Sequence, residues 1–586
     1  MSETSVDWPV VKRFLNHFKP YKTQVLIGLA LIPVSVAFSI LFPWLIMQVI
    51  DQQLVPGVYD GLMWWTLGLV LVLIGNYLAD AIFNYSLQSA AQHAIRDIRA
   101  EMFDRVLHFP RRYFDKTPMG VTLTRLTSDL EAISESFTQG LLSMVRDVLI
   151  TVALLVFLAI ISWKLTLVLI LIGPVIYYIT ELLRRRLRDA YLKSRVVLSQ
   201  GTGYLQESLS GIKTVQLYNA EQEVLSRYQT YTRGFYKAQS KSNLYDSALY
   251  SIIEGITTVS MGLIIWYGSR EILAATISVG VLVGFINTLD KIFVPIRDFT
   301  SQMASIQRAF AAFDHIEEIF QQDSEHVSTQ GEHLSVSELG VLDSFETLVF
   351  DEVRFRYTET GPWVLNDVSF RLGKGDRIAL VGSTGSGKST ILRLLTKTYD
   401  NYHGSIKLNG IELSRIPKAE AGKFFSLMQQ EVFLFNESIE FNIGLSREGI
   451  DRADVVEAAR YVYADHFIDD LPGGYAFELQ GNGANLSAGQ AQLIAFARAI
   501  AGGSEVVMLD EATSSVDSVT EQLIQKAIDH VFMEKTVIAI AHRLSTIQHS
   551  DQILVLDKGE IIERGSHGEL MRQQGFYANL VEELET

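Results

Sequence analysis

The chain has 586 residues, of which 48% are hydrophobic and only 20% are charged. A charged fraction below the usual quarter is difficult to reconcile with one soluble protein of this length, and the composition excludes a disordered or collagen-like chain. The formal net charge of −16 argues against a general nucleic-acid-binding protein, because phosphate contacts need a basic surface. Cysteine is absent, which excludes disulfides, thiol catalysis and thiolate metal sites.

The first segment, residues 1–22, is expected to form an interfacial (elbow) helix. Within it, residues 9–22 (PVVKRFLNHFKPYK) interleave Lys and Arg with Phe and Leu. A segment of this kind can lie along a membrane surface, with its bases among the headgroups and its apolar side chains below them. It is too charged, and its apolar core is too short, for a secretory signal peptide.

Residues 23–320 are expected to form a transmembrane domain, since about 20 apolar residues cross the roughly 30 Å of bilayer hydrocarbon. The six predicted spans are 25–49, 62–84, 141–162, 165–182, 250–268 and 279–294. Only Ser162, Trp163 and Lys164 lie at the junction of the third and fourth spans, which predicts a tight hairpin there.

The distribution of basic residues predicts the orientation. The two long connections, 85–138 and 184–244, are rich in Lys and Arg, whereas the short loops carry at most Lys164 or Arg270. By the positive-inside rule, the long connections and both termini are expected to be cytoplasmic. Both connections have helical periodicity, so the spans are expected to continue as helices beyond the bilayer and to turn near 108–120 and 211–221.

Several charged residues fall inside predicted spans, where facing lipid is unfavourable. They are Asp80, Arg146, Asp147, Glu254, Asp290 and Lys291. One interpretation is ion pairing between helices or placement near an aqueous cavity, which we favour. The other is a polar substrate or proton path, for which Glu254 and Asp290 are the candidates.

A polar segment without periodicity, residues 321–345, is interpreted as a linker to a soluble domain at 346–586. That domain contains a G-x-x-x-x-G-K-S loop placed between an apolar strand and a helix, which is the context that a phosphate-binding loop requires. Glycines let backbone N–H groups surround phosphates, and the helix N-terminus adds a favourable dipole. The candidate ATP-binding residues of this loop are Gly382, Ser383, Thr384, Gly385, Ser386, Gly387, Lys388, Ser389 and Thr390.

Two roles within this loop follow from its chemistry. Lys388 is expected to reach the β- and γ-phosphates, and Ser389 is expected to bind Mg²⁺. Further along the chain, a run of apolar residues at 506–509 delivers the carboxylates of Asp510 and Glu511. Asp510 suits Mg²⁺, directly or through water, and Glu511 is the candidate base that polarises the attacking water.

The segment LSAGQ, just before these carboxylates, resembles the signature of ABC ATPases, with alanine at the third position. The resemblance implies that this segment completes the ATP site of a partner subunit. The implied partner-site contacts are Leu486, Ser487, Ala488, Gly489 and Gln490, together with Asp517 in a segment that resembles the family's D-loop.

The same resemblance implies roles for three further residues. Tyr357 lies where the family has its adenine-stacking aromatic, and Gln430 where it has the Q-loop residue that senses Mg²⁺ and contacts the membrane domain. His542 matches the switch histidine at the γ-phosphate. Residues 481–483 fall at the family's cross-talk loop, but the usual glutamate is missing there.

The whole chain resembles an ABC exporter half-transporter of the multidrug and lipid-flippase type. The implied fold class is a multi-domain membrane protein, with a six-helix transmembrane domain and an α/β P-loop NTPase domain. Residues 110–130 and 207–221 resemble the two coupling regions of that family. The implied function is ATP-driven export or flipping of a hydrophobic or amphipathic substrate (a drug, lipid or peptide) across the cytoplasmic membrane, by alternating access in a dimer.

Two alternatives stay open at this point: an importer of a chelate-type substrate on the same fold, and an ATP-gated channel or regulator. The partner is also open. Ala488, Ala491 and the flanking residues resemble heterodimeric exporters whose other subunit carries a degenerate catalytic glutamate. A heterodimer is therefore favoured modestly over a homodimer.

Overall fold

The computed structural model describes residue 14 and residues 16–322, 342–510, 518–541 and 547–585. The chain divides into two compact units. The first comprises Met1–Leu107 and Gly120–Gln322, and the second comprises His108–Met119 and Asp323–Thr586. The short segment at the first predicted turn therefore belongs with the soluble domain.

Long helices make up the first unit. In chain order, the helices up to residue 322 are α1 (Lys22–Val49), α2 (Leu62–Leu107), α3 (Arg111–Lys116, in the second unit), α4 (Met119–Thr124), α5 (Leu130–Glu135), α6 (Ser143–Ile161), α7 (Trp163–Ser210), α8 (Ile212–Leu217), α9 (Glu221–Leu273) and α10 (Val279–Gln321). Wider π-helical turns, Arg125–Asp129 and Ser136–Leu142, join α4, α5 and α6 into one continuous helical stretch.

Helix length shows that these helices extend well beyond a bilayer. α2, α7 and α9 contain 46, 48 and 53 residues. At about 1.5 Å per residue they are roughly 70–80 Å long, more than twice the hydrocarbon thickness. In the described part of the chain, five helical stretches are long and apolar enough to cross a membrane: Lys19–Leu54, Leu62–Leu107, Met119–Ile161, Trp163–Ser210 and Glu221–Leu273. The sixth predicted span, 279–294, lies within α10.

The buried face of α2 shows why the helix continues past its apolar span. Leu87, Ala91, Ala94, Ile98 and Met102 are all buried. Their spacing of three or four residues places them on one face, which packs inside the unit although the surrounding sequence is polar.

The predicted hairpin between the third and fourth spans is also present, since α6 ends at Ile161, Ser162 is extended (φ −152°, ψ 98°) and α7 begins at the next residue.

Most of the predicted interfacial helix, residues 1–13 and 15, lies outside the described residues. Its two described phenylalanines, Phe14 and Phe18, are buried in the first unit. The ring of Phe14 meets that of Phe313 at 5.2 Å, and the ring of Phe18 meets that of Phe137 at 4.5 Å. In this structure these rings pack on α10 and on the π-helical turn before α6.

Three of the charged residues predicted to lie within spans form one polar cluster. Arg146 Nη1 lies 3.1 Å from Asp80 Oδ1, and Arg146 Nη2 lies 3.5 Å from Asp147 Oδ1. Ser35 Oγ donates to Asp80 Oδ1 (3.3 Å), and Gln302 Nε2 donates to Asp147 Oδ2 (3.1 Å). The cluster joins α1, α2, α6 and α10, so the ion-pairing interpretation is confirmed for these three charges.

The two candidates for a substrate path, Glu254 and Asp290, do not belong to this cluster. Their side chains are exposed in the single chain. Their role in a substrate path stays a prediction.

Replacing Arg146 by methionine is expected to destabilise the protein by about 1–2 kcal/mol, because the loss of one partner from a partly buried ion pair leaves the carboxylates uncompensated. The cost is lower than for a fully buried pair, since the Asp80 side chain is 38% exposed and solvent screens part of its charge. The change in stability is measured by heating each variant in detergent and determining the fraction that stays folded by size-exclusion chromatography. Arg185→Met is the matched control, since Arg185 also pairs with a glutamate but its side chain is 77% exposed. The expectation is wrong if both variants unfold at the wild-type temperature. Asp80→Asn added to Arg146→Met is expected to restore part of the lost stability.

In its described residues, the second unit contains ten strands in two sheets. Its strands are β1 (Thr347–Phe355), β2 (Leu365–Gly373), β3 (Arg377–Gly382), β4 (His403–Leu408), β5 (Ile411–Glu412), β6 (Phe425–Met428), β7 (Val506–Asp510), β8 (Thr536–Ile540), β9 (Gln552–Asp557) and β10 (Glu560–Gly565). Its remaining helices are α11 (Lys388–Leu395), α12 (Lys418–Phe424), α13 (Ile439–Gly444), α14 (Arg452–Tyr461), α15 (Asp465–Ile468), α16 (Ala488–Ile500), α17 (Ser518–Glu534), α18 (His567–Gln573) and α19 (Phe576–Glu585).

The larger sheet has the order β10-β9-β3-β8-β7-β6, and the smaller has the order β2-β1-β4-β5. Strands β9, β3, β8, β7 and β6 are parallel, whereas β10 and the smaller sheet are antiparallel. All five residues of β8 and the central four of β3 are buried, as expected for parallel strands covered on both faces. The predicted α/β class is confirmed.

The predicted linker is only partly described, because residues 323–341 lie outside the described part of the chain. Its last residues belong to the soluble domain, since Leu342 and Phe345 are buried in the same core as Phe350 and Phe370. The folded domain therefore begins a few residues before the predicted boundary at residue 346.

Candidate functional site

The predicted site residues meet along one edge of the larger sheet. In the parallel register, Ile540 of β8 pairs with Leu380 of β3 on one side and with Asp510 of β7 on the other. The phosphate-binding loop follows β3, and Gln430 comes two residues after the end of β6. Because carboxyl ends of parallel strands lie at one edge of a sheet, the loop, Asp510 and Gln430 share that edge, where open α/β sheets bind their ligands.

The backbone of the loop explains its glycines. Gly382, Gly385 and Gly387 have φ values of +150°, +85° and +104°, which side-chain-bearing residues rarely adopt. A β-carbon on Gly382 would lie 2.0 Å from the carbonyl oxygen of Leu556, and one on Gly387 would lie 2.8 Å from that of Val364. The loop can take this shape only with glycine at these positions.

Lys388, the first residue of α11, lies at the centre of the loop. Its Nζ donates to the carbonyl oxygens of Gly382 (2.7 Å) and Ser383 (2.8 Å) and lies 3.4 Å from Ser386 Oγ. Burial lowers the pKa of Lys388, and the carboxylate of Asp510 partly offsets that effect. A desolvated ammonium group held among loop carbonyls is suited to binding an anion such as a phosphate.

The oxygen atoms proposed for Mg²⁺ fit that ion. Ser389 supplies a hydroxyl, Asp510 a carboxylate and Gln430 an amide oxygen, all hard ligands. Ser389 and Asp510 are half-buried and Gln430 is exposed. Across the described residues there is no cluster of three or more His, Asp or Glu side chains that could hold a metal. A donor set with one carboxylate and two neutral oxygens suits a cation that completes its coordination with nucleotide phosphates and water.

Tyr357, the proposed adenine-stacking residue, is hydrogen-bonded to α11, the helix that follows the phosphate-binding loop (the P-loop helix). Its hydroxyl lies 2.9 Å from Thr390 Oγ1 and accepts a hydrogen bond of 2.9 Å from Arg393 Nη1. The rings of Phe355 and Tyr399 meet its ring nearly edge-on, at 5.0 and 5.1 Å. The side chain remains 36% exposed, so part of the ring is available for stacking.

The signature segment forms the N-terminus of α16. Ser487 is the N-cap: its Oγ accepts from the backbone N–H of Gln490 (3.2 Å), whose side chain accepts from the N–H of Ser487 (2.9 Å). Since the serine oxygen acts as acceptor here, its own proton stays available for donation. Ser487 and Ala488 are exposed, Gly489 is buried and Leu486 packs against the core of the domain. An exposed helix N-terminus of this kind suits binding of an anion from outside the domain.

Three predicted site residues cannot be placed. Glu511, Asp517 and His542 lie outside the described residues. The loop at 481–483 is described: Gly481, Asn482 and Gly483 all have positive φ values, of 55°, 61° and 86°. Its roles in cross-talk, like the other residue roles, stay predictions.

Sequence reasoning missed two residues next to the site, Arg393 and Tyr399. Arg393 donates to Tyr357. The hydroxyl of Tyr399 donates to the carboxylate of Asp115, which is 284 residues away along the chain. A tyrosine in a polar loop gives no local signal of such a partner.

Comparison with known proteins places both halves of the chain. Residues 25–295 match the family described as the ABC transporter transmembrane region, and residues 365–514 match the ABC transporter family. An uncharacterized ABC transporter ATP-binding protein of Bacillus subtilis is 32% identical over 99% of this chain and 95% of its own length. An ATP-dependent lipid A-core flippase of Albidiferax ferrireducens is 31% identical over 97% of both chains.

A solved structure, that of a bacterial Atm1-family ABC exporter with ATP bound, superposes with a TM-score of 0.74 and 26% identity. The match covers 96% of this chain and 98% of that one. Both predicted domains, and their order along one polypeptide, are therefore shared with these proteins. The chain belongs to the ABC transporter family, as an exporter-type half-transporter whose multi-pass membrane domain is fused to an ATP-hydrolysing domain.

Proposed function

We propose that this chain is one half of an exporter that uses ATP to move or flip a hydrophobic or amphipathic substrate, such as a drug, a lipid or a peptide. The observation that carries the proposal is the likeness over almost the full length of the chain to the flippase and the Atm1-family exporter. A Bacillus subtilis relative named as a probable multidrug resistance transporter, 32% identical over 88% of this chain, points to the same range of substrates.

In the proposed site, Lys388 and the loop N–H groups bind the phosphates of ATP, and the exposed ring of Tyr357 stacks on the adenine. Ser389, Asp510 and Gln430 would hold Mg²⁺, and that ion would supply positive charge beside the phosphates. Glu511 polarises the attacking water, and His542 contacts the γ-phosphate. The geometry of the described residues supports the roles of Lys388 and Tyr357. Lys388 Nζ contacts the loop at Gly382, and Tyr357 contacts Thr390 in the helix that Lys388 begins.

ATP binding is proposed to drive alternating access. The signature of one subunit, with Ser487 exposed at a helix N-terminus, faces the ATP held by the other, so two ATP molecules join two ATP-binding domains. ATP must bind the joined state more tightly than the separated one, since a ligand shifts an equilibrium only through differential affinity. Hydrolysis then separates the domains.

The partner is proposed to be a second, different half-transporter with a degenerate catalytic glutamate. Support comes from Ala488 and Ala491 in the signature region. Both termini and the ATP-binding domain are proposed to be cytoplasmic, in line with the basic connections. The chain produced alone is then expected to hydrolyse ATP slowly, and purification from its native membrane is expected to recover a second chain in equal amount. A fully active homodimer would contradict the heterodimer.

The transport proposal is tested with inside-out membrane vesicles and two probes, ethidium and a nitrobenzoxadiazole-labelled phosphatidylethanolamine. ATP-dependent accumulation of ethidium, or movement of the labelled lipid between leaflets, is the expected result. Vesicles with the Lys388→Ala variant are the matched control and are expected to show neither. Uptake only in right-side-out vesicles would indicate an importer, and ATP-dependent ion conductance without accumulation would indicate a channel; either result would overturn export.

A further inference from the structure

A buried aromatic cluster lies between the nucleotide site and the segment at the first predicted turn. Tyr399 follows α11 by four residues, and its side chain is only 8% exposed. Its ring centroid lies 5.1 Å from that of Tyr357 and 5.5 Å from that of Phe355. Tyr357 in turn contacts Thr390 on the P-loop helix. A movement of the Tyr357 ring therefore reaches Tyr399 through direct packing.

The other end of Tyr399 reaches α3. Its hydroxyl donates to the carboxylate of Asp115, which also accepts from Arg111 Nε (3.2 Å). Burial and the Asp115 carboxylate raise the pKa of Tyr399, so its hydroxyl remains a donor at physiological pH. The segment around Asp115 is well packed, since Phe109 and Tyr113 are only 5% and 7% exposed.

The contact between Tyr399 and Asp115 matters because of where α3 lies in the chain. Helix α3 belongs to the same compact unit as the ATP-binding domain. Its neighbours in sequence, α2 and α4, lead directly into the membrane helices. A side chain that holds α3 therefore acts on the segment that lies between α2 and α4 in the sequence.

We propose that Tyr399 is a positioning residue that makes the hold on α3 depend on nucleotide at Tyr357. A base stacked on the exposed part of Tyr357 fixes that ring, the ring fixes Tyr399, and Tyr399 fixes Asp115. This inference rests on the proposed nucleotide role of Tyr357 and extends it by naming the route from the base to the membrane helices. Loss of the Tyr399 hydroxyl is then expected to uncouple α3 from nucleotide without removing any group proposed to contact ATP.

The test is hydrogen exchange of residues 108–119 in the purified full-length protein, with and without a non-hydrolysable ATP analogue. In wild type, the analogue is expected to slow exchange of this segment about tenfold, the size expected for a hydrogen bond to a charged group. In Tyr399→Phe, which loses only the hydroxyl, the analogue is expected to bind but to leave exchange unchanged. Basal ATPase is expected to stay within about twofold of wild type, and transport per ATP to fall about tenfold.

Tyr402→Phe is the matched control, because Tyr402 lies three residues further on and its hydroxyl donates to Glu412 (2.7 Å) instead of to α3. Asp115→Asn keeps an oxygen acceptor and is expected to retain part of the nucleotide effect, whereas Asp115→Leu is expected to abolish it. The inference is overturned if Tyr399→Phe keeps the wild-type exchange response, if Tyr402→Phe loses it equally, or if the wild-type segment does not respond to nucleotide. A wild-type response without ATP-dependent transport supports this inference and contradicts the proposed function.

Discussion

Replacing Lys388 by alanine is expected to reduce ATP hydrolysis by at least about a hundredfold, the usual cost of removing a group that stabilises charge in the transition state. The side chain is buried and its ammonium group already lies among the loop carbonyls, 2.7 Å from that of Gly382. No other described lysine occupies the loop. Steady-state phosphate release by the purified protein measures the loss.

A second lysine bound by backbone carbonyls, Lys397, provides a control that distinguishes a loss of catalysis from a loss of folding. Lys397 Nζ donates to the backbone carbonyls of Leu413, Ser414 and Ile416, just beyond the end of α11. Lys397→Ala is expected to lower thermal stability and leave the turnover of the folded protein close to wild type. Equal losses of turnover in both variants would mean that Lys388 acts only by holding the loop together. Retention of more than a tenth of wild-type hydrolysis by Lys388→Ala would contradict its proposed role.

Replacing Glu511 by glutamine is expected to lower turnover at its own site about a thousandfold, within the range for loss of a general base, while ATP binding is retained. The residue itself lies outside the described part of the chain, but it directly follows Asp510, which ends β7 at the carboxyl edge of the sheet. Steady-state hydrolysis and retention of radiolabelled ATP on the protein are the two measurements. Unchanged hydrolysis would rule out Glu511 as the base.

The control for this variant lies at the other end of the same strand. Glu505 precedes β7, and its carboxylate accepts from the backbone N–H of Phe345 (2.7 Å) and from Lys374 Nζ (2.9 Å). Glu505→Gln is expected to loosen the attachment of residue 345 and to leave hydrolysis nearly unchanged. A loss of turnover equal to that of Glu511→Gln would mean that the strand, rather than the base, had been disturbed.

The sequence by itself determined the features whose physical cause is local. Apolar segments of membrane-spanning length and the short junction at Ser162 gave the long helices and their hairpin. The glycines of the phosphate-binding loop allow the positive φ values that the loop adopts, and Ser487 with Gln490 caps the N-terminus of α16 from within one helical turn. Each of these depends on residues within one or two turns of chain, so hydropathy and spacing are sufficient to predict it.

Only the tertiary structure decided which distant residues meet. It paired Arg146 with Asp80, and it placed Leu342 in the core of the soluble domain and α3 in the second unit. It also brought Asp510 level with the phosphate-binding loop through β8, and it joined Tyr399 to Asp115. These contacts depend on strand order and on packing between elements far apart in the chain. No local period records such pairings, and for that reason the catalytic edge was predictable from its motifs, whereas the contact of Tyr399 with Asp115 in α3 was not.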